Sequence, residues 1–240
     1  MELYLDLLSP PCRFVYLFAK TLKIPFEFKL VELASGQQYS EEFGKLSVVR
    51  KVPVMKDGSF VLTESVAIVE YLAQKHSVAD HWCPAELQQR ARLTEYLSWQ
   101  PMNLGLNCSK VFLLRALFPI IMDTEVPKDK MDEVLADAKQ SLKLLEDKFL
   151  QEKPFIVGDK ISVADLVAVV WILQPSGTGV DLFEGLPKLQ AWRDRVKKEI
   201  GEKMFDDSHE VLSKPGNLPQ KMKEHKNLEM FKARMEKLLR

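Results

Sequence analysis

Three short segments in the first 65 residues place hydrogen-bonding groups where the chain passes from one element to the next: Ser9-Pro10-Pro11-Cys12, Lys51-Val52-Pro53 and Thr63-Glu64-Ser65. Ser9 stands between a Leu- and Tyr-rich run and two prolines, a residue suited to a helix's first turn. The free amides and positive end of such a helix favour a negative charge. A serine hydroxyl there can donate to a bound thiolate and lower the thiol's pKa, each unit being worth about 1.4 kcal/mol. The plainer reading of Ser9 is a helix cap. The spacing is that of a C-x-x-C redox motif with serine in first position, so no disulfide can close within it. No G-x-S-x-G surrounds the serine, which argues against a serine nucleophile.

Val52-Pro53 opens a hairpin. A cis bond there turns the Val52 backbone outward to pair with an extended ligand, whereas a trans bond makes it an ordinary turn. Glu64 and Ser65 enter a helix, where hydroxyl and amides either hold a carboxylate or merely cap. One ligand with a thiol, a peptide backbone and a carboxylate would need a feature of each kind.

The elements that must position these groups follow from periodicity. Residues 2 to 8 read as a strand, Phe14, Leu17, Phe18 and Leu22 as a helix face, and about 25 to 32 as a second strand. Residues 35 to 50 are polar and irregular. Val52 to Met55 and Phe60 to Leu62 flank an Asp57-Gly58 turn, and a helix from near Ser65 turns Ile68, Val69 and Leu72 inward. These make a small mixed sheet with helices on it, in residues 1–80. Beyond a linker at His81 to Pro84 the strand signals stop. Segments 86–118, broken at Pro101, then 128–151, 162–174 and 187–199 have helical period, so 86–240 reads as all-helical. Ser162-Val163-Ala164-Asp165 fits a capping box with a structural role.

With 34 basic and 34 acidic residues the chain has no global field for nucleic acid or an anionic membrane. Between Lys214 and Arg240, however, eight bases face three acids, a local surplus of five positive charges. Three widely spaced cysteines suggest neither a disulfide framework nor a zinc site, and hence a reducing compartment. The first residues read as structure, not as a signal peptide. The apolar run Leu166 to Leu173 is too short to span a bilayer.

On the stretches ELYLDLLSPPCR, KVPVMKDGSFVLTESVAIVEYL, LLEDKFL and ISVADLVA the sequence resembles the theta-class cytosolic glutathione transferases over nearly its whole length. The resemblance implies an α/β thioredoxin-like N-terminal domain that binds glutathione, followed by an all-α C-terminal domain that binds the electrophile. It implies Ser9 as the catalytic residue. Lys51 and the Val52 backbone would hold the cysteinyl-glycine part, Pro53 would be cis, and Glu64 and Ser65 would take the γ-glutamyl end. Gln38 stands where the family often has a histidine. Met102, Leu106, Phe231 and Met235 are the residues expected at the electrophile pocket and its lid. Glutathione is the co-substrate, no bound cofactor or metal is implied, and the family forms cytoplasmic homodimers that detoxify small electrophiles.

Two departures stand out. Some theta enzymes place an arginine near the serine from the segment after L-x-W-Q, but Trp99 to Gly105 contains none. The tail carries an apolar stripe, Leu228, Phe231, Met235 and Leu238, after Pro215-Gly216 and Pro219, which either packs on the helical domain or lids the pocket. The competing functions are a thiol reductase working through Cys12 and a non-enzymatic binding module.

Overall fold

The computed structural model describes residues 1–214, 216–225 and 227–239; Pro215 of the expected tail break lies outside them. In β1 (Glu2–Leu5) the alternation turns Leu3 and Leu5 fully inward. Helix α1 (Pro10–Thr21) carries its prolines in the first turn and buries Phe14, Leu17 and Phe18. It ends where Lys23 adopts φ 55° and the Ile24 amide reaches back to the Ala19 carbonyl at 2.9 Å, a Schellman-type stop. Strand β2 (Glu27–Leu30) then lies parallel to β1.

Residues 35–50, expected to be irregular, contain a helix, α2 (Glu41–Leu46). Ser40 caps it by accepting from the Phe43 amide at 3.1 Å, and Glu41 and Glu42 sit in its first turn. Strands β3 (Val54–Asp57) and β4 (Phe60–Thr63) form the expected hairpin, with Gly58 at φ 63° in the turn. Helix α3 (Ser65–Lys75) follows. The sheet order is β2-β1-β3-β4, with β1 antiparallel to β3 and β3 antiparallel to β4.

The helical part begins with α4 (Leu87–Trp99) and does not break at Pro101. Pro101–Gly105 forms a wide π-type turn that leads into α5 (Leu106–Phe112). Proline cannot donate and crowds the carbonyl four residues back. The wider turn relieves this: the Gly105 amide reaches the Gln100 carbonyl at 2.9 Å, and the Asn103 side chain serves the Trp99 carbonyl at 2.7 Å. A second wide turn, Leu113–Leu117, leads into α6 (Phe118–Met122). The helical stretch Asp80–Met122 is long and apolar enough to cross a bilayer by length and composition, but half its most apolar window is buried. Leu93, Tyr96, Leu104, Cys108 and Val111 belong there to the protein core.

Helices α7 (Lys128–Leu144), α8 (Val163–Ile172), α9 (Pro187–Ile200) and α10 (Glu202–Ser213) complete the bundle, and α11 (Leu218–Lys223) and α12 (Leu228–Leu238) form the tail. Nine of the ten residues of α8 are buried, so it has no polar face and serves as the central post, packed on α1. Its start is a complete capping box. Asp165, fully buried, accepts from the amides of Ser162 and Ile156 and the Trp192 indole, at 2.8–2.9 Å, and from the Ser162 hydroxyl at 3.0 Å.

Candidate active site

The sheet register gathers the three segments. Tyr4 pairs with Val54, and Val54 with Thr63, so the end of β1, the start of β3 and the end of β4 lie together at one end of the sheet. Ser9, Val52-Pro53 and Glu64-Ser65 extend from those ends. Val52-Pro53 is cis. Glu64 holds φ 67°, ψ 115°, a conformation a non-glycine residue seldom adopts, and backbone strain of this kind concentrates at functional sites. Ser65 is the first residue of α3.

Ser9 occupies the N-cap position of α1, and its carbonyl accepts from the Cys12 and Arg13 amides. Its side chain makes no capping hydrogen bond. The turn before it is braced by Asp6, a residue not singled out from sequence, whose carboxylate accepts from the Leu8 and Leu33 amides at 2.9 Å. Cys12 is fully buried, and burial pushes its thiol up to about 12, outweighing the Asp6 backbone and the Ser9 hydroxyl that pull it down. A thiol so placed is not the accessible thiolate a reductase needs.

Next to it, Arg13 is also fully buried. One guanidinium nitrogen donates to the Leu7 and Leu8 carbonyls at 2.5 and 3.3 Å; the other donates to the Val170 carbonyl at 3.1 Å and to the Gln174 side-chain oxygen. Gln174 in turn donates to the Leu8 carbonyl at 3.1 Å. Arg13 shares a helix face with Pro10 and Leu17, and an arginine on an apolar face was the available sequence signal.

In front of Ser9 opens a cavity of about 400 Å³. Ser9, Gln38, Lys51, Val52 and Phe231 line it, as do Phe112, Leu113 and Trp171, which sequence reasoning missed. Arg50 and Arg234 bring further positive charge to its wall. Arg50 also donates to the Tyr39 and Ser40 carbonyls at 2.6 and 2.9 Å, holding the loop that carries Gln38. Gln38 is 6% exposed, and its buried side-chain oxygen has no partner among the described residues. Phe231 and Arg234 come from α12, and Leu218 and Met222 from α11, so the tail forms one side of the cavity.

Other expected residues lie elsewhere. Pro53, Glu64 and Ser65 are at the same end of the sheet but outside the cavity lining. Met102 and Leu106 do not line the cavity; Met102 is 72% exposed, and both stand on the outer side of the helical run. The wide turn at Pro101 changes the helix phase, bringing Ser109, Phe112 and Leu113 to the cavity instead. Met235 is fully buried on the inward face of α12, in the core and not in the cavity. A second cavity, of about 470 Å³ between α3 and α4, contains none of the expected site residues.

Residues 3–80 match the family model of the glutathione S-transferase N-terminal domain, and residues 111–199 that of the glutathione S-transferase C-terminal domain. The chain is 48% identical to glutathione S-transferase theta-1 of Homo sapiens over 219 residues, 91% of each chain. The apo form of human glutathione-S-transferase T1-1 superimposes with a TM-score of 0.89 at 44% identity, covering 98% of this chain and 99% of that one. Human glutathione transferase theta-2, solved in complex with glutathione and an unknown ligand, also gives 0.89, at 38% identity over 99% and 98% of the two chains. With a thioredoxin-like sheet domain and a helical domain meeting at Ser9, the chain belongs to the theta class of the glutathione S-transferase family.

Proposed function

We propose that this transferase conjugates reduced glutathione to small hydrophobic electrophiles such as alkyl halides, epoxides and activated alkenes, with the Ser9 hydroxyl stabilising the thiolate. The observation that carries this reading is the Ser9 side chain: it is unused as a cap, at a helix N-terminus, in the wall of a cavity that is apolar on its far side. The thiol loses its proton, and Ser9 donates to the resulting sulfur anion. The sulfur then attacks carbon. As the carbon–sulfur bond forms, a halide departs with its electron pair, or an epoxide oxygen opens and takes up a proton. Phe112, Leu113, Trp171 and Phe231 hold the electrophile against the sulfur, so rate is gained through proximity.

Residues 1–80 carry the glutathione half and residues 86–240 the electrophile half in this reading. Gln38, Lys51 and the Val52 backbone face the cysteinyl-glycine part, with cis-Pro53 presenting that backbone. Glu64 takes the γ-glutamyl ammonium, and Ser65 with the free amides of α3 takes its carboxylate. The same thiolate can reduce an organic hydroperoxide: sulfur takes the terminal oxygen as the O–O bond breaks, and the departing alkoxide takes up a proton to leave as the alcohol. A second glutathione then attacks that sulfur, and the oxygen leaves as water to give the disulfide. The enzyme acts as a cytoplasmic homodimer on this reading, as the resemblance to its class implies.

Purified Ser9→Ala tests it. The variant keeps its fold and its affinity for glutathione, while turnover falls on the order of 10²-fold across several electrophiles. Wild-type turnover by Ser9→Ala would exclude the mechanism.

A further inference from the structure

We propose that Arg13 is a positioning residue for this reaction: its buried guanidinium clamps the Leu7–Leu8 turn in front of Ser9 to α8, and sets a fixed positive charge behind the Ser9 hydroxyl. The inference rests on the conjugation reading above. Three observations carry it.

The first is geometric. Arg13 donates to the Leu7 and Leu8 carbonyls, the two that lead into Ser9, and Gln174 donates to the Leu8 carbonyl as well; the same guanidinium anchors them to Val170 on α8 and to Gln174 just beyond it. Trp171 and Gln174 of the same helical segment line the cavity. The clamp therefore ties the serine's turn, in the sheet domain, to the wall that holds the electrophile, in the helical domain. A planar fork with several donors suits this and a lysine does not.

The second is charge. Among the described residues no carboxylate lies within 4 Å of the guanidinium, so its partners are neutral oxygens. A buried cation hydrogen-bonded to dipoles and not ion-paired keeps a field that water does not screen. Asp6, Cys12 and His209 are the titratable groups that face it. Asp6 already spends its carboxylate on two amides, and the Cys12 thiol is held neutral by burial.

The third is His209, on α10, which packs on α1. Burial, with Arg13 as the next contribution, holds its imidazole down to about 3, so it stays neutral and does not add to or offset the guanidinium charge. The charges left near this turn are the Arg13 cation and the Asp6 carboxylate, the latter held by the Leu8 and Leu33 amides. The Arg13 charge favours a thiolate at Ser9, in the manner of a preorganised electrostatic site.

The test measures the thiol pKa of glutathione bound to the enzyme, from thiolate absorbance against pH, together with kcat and KM. Three variants separate charge from geometry. Gln174→Glu sets an anion against the guanidinium and gives up the Gln174 donation to the Leu8 carbonyl, while Arg13 keeps its own bonds to Leu7 and Leu8; the bound thiol's pKa should rise by about one unit. Arg13→Gln should raise it similarly. Arg13→Lys retains the charge without the fork; the pKa should stay near wild type while kcat falls roughly tenfold and KM for glutathione stays within about twofold. Gln174→Glu decides the charge claim if Arg13→Gln does not fold. A lowered thiol pKa in the wild type that survives Gln174→Glu overturns this inference and leaves the Ser9 reading standing. An ordinary thiol pKa in the wild type overturns both. Variants that lose only melting temperature, with kcat and pH profile unchanged, show Arg13 to be purely structural.

Discussion

Lys221 in α11 donates to Glu32 just beyond β2, Nζ to Oε1 2.5 Å, across 189 positions of sequence. The basic tail thus crosses back onto the sheet domain beside the loop that carries Gln38. Lys223 pairs with Asp123 at 2.7 Å on the helical side. His225 fits against Gly36, which holds φ +78°; a Cβ there would come within 2.6 Å of the imidazole Nε2. Only glycine permits both the backbone conformation and the approach.

The tail should therefore act as both core and lid, and two substitutions separate the roles. Met235→Ala empties a fully buried site and should cost about 2–5 kcal/mol, read by thermal or denaturant unfolding. Phe231→Ala, at the cavity wall, should change electrophile preference and product release with a smaller loss of stability. Glu32→Gln removes one partly exposed ion pair and should cost about 1 kcal/mol or less. If Phe231→Ala leaves every kinetic constant unchanged, the tail is packing only.

Ser65→Ala and Glu64→Gln should raise KM for glutathione roughly tenfold with turnover nearly constant. The γ-glutamyl end is remote from the sulfur, so both residues hold ground and transition states alike. A fall in turnover with KM unmoved contradicts the assignment.

Asp165→Ala should cost about 3–5 kcal/mol and act on folding before chemistry. It strands the amides of Ser162 and Ile156 and the Trp192 indole, all bonded to one buried carboxylate at the start of the central helix. A folded, equally stable Asp165→Ala enzyme would show that the capping box is dispensable.

His209 should make the protein acid-sensitive. Burial first, and the Arg13 charge second, lower its imidazole from the ordinary 6.5 to about 3. Between those values the unfolded chain binds a proton that the native state does not, so stability is full above about 6.5 and falls as pH drops toward 3. By pH 5 the loss from this group is about 2 kcal/mol. His209→Gln should flatten that part of the stability curve, and an unchanged slope between pH 7 and 5 would remove His209 from the account.

The parts legible in the sequence were those governed by neighbours. A strand running into Ser9-Pro10-Pro11, the Asp57-Gly58 hairpin, the helix at Ser65 and the box at Ser162–Asp165 each depend on interactions within a few residues. The chain states them directly. The short helix α2 escaped, although Ser40-Glu41-Glu42 is a start signal, because its apolar face is too brief to show a period.

What only the tertiary structure decided is which side chains meet. Arg13 looks like any helix arginine until α8 brings Val170 and Gln174 to it. Phe112, Trp171 and Arg234, from three distant segments, reach one cavity, while Met102, Leu106 and Met235 miss it. The direction of a residue far along a helix depends on every turn before it, and the wide turns at Pro101–Gly105 and Leu113–Leu117 each shift that phase. A local pattern names the element, but the sum of turns and the packing around α8 set the face it turns to the site.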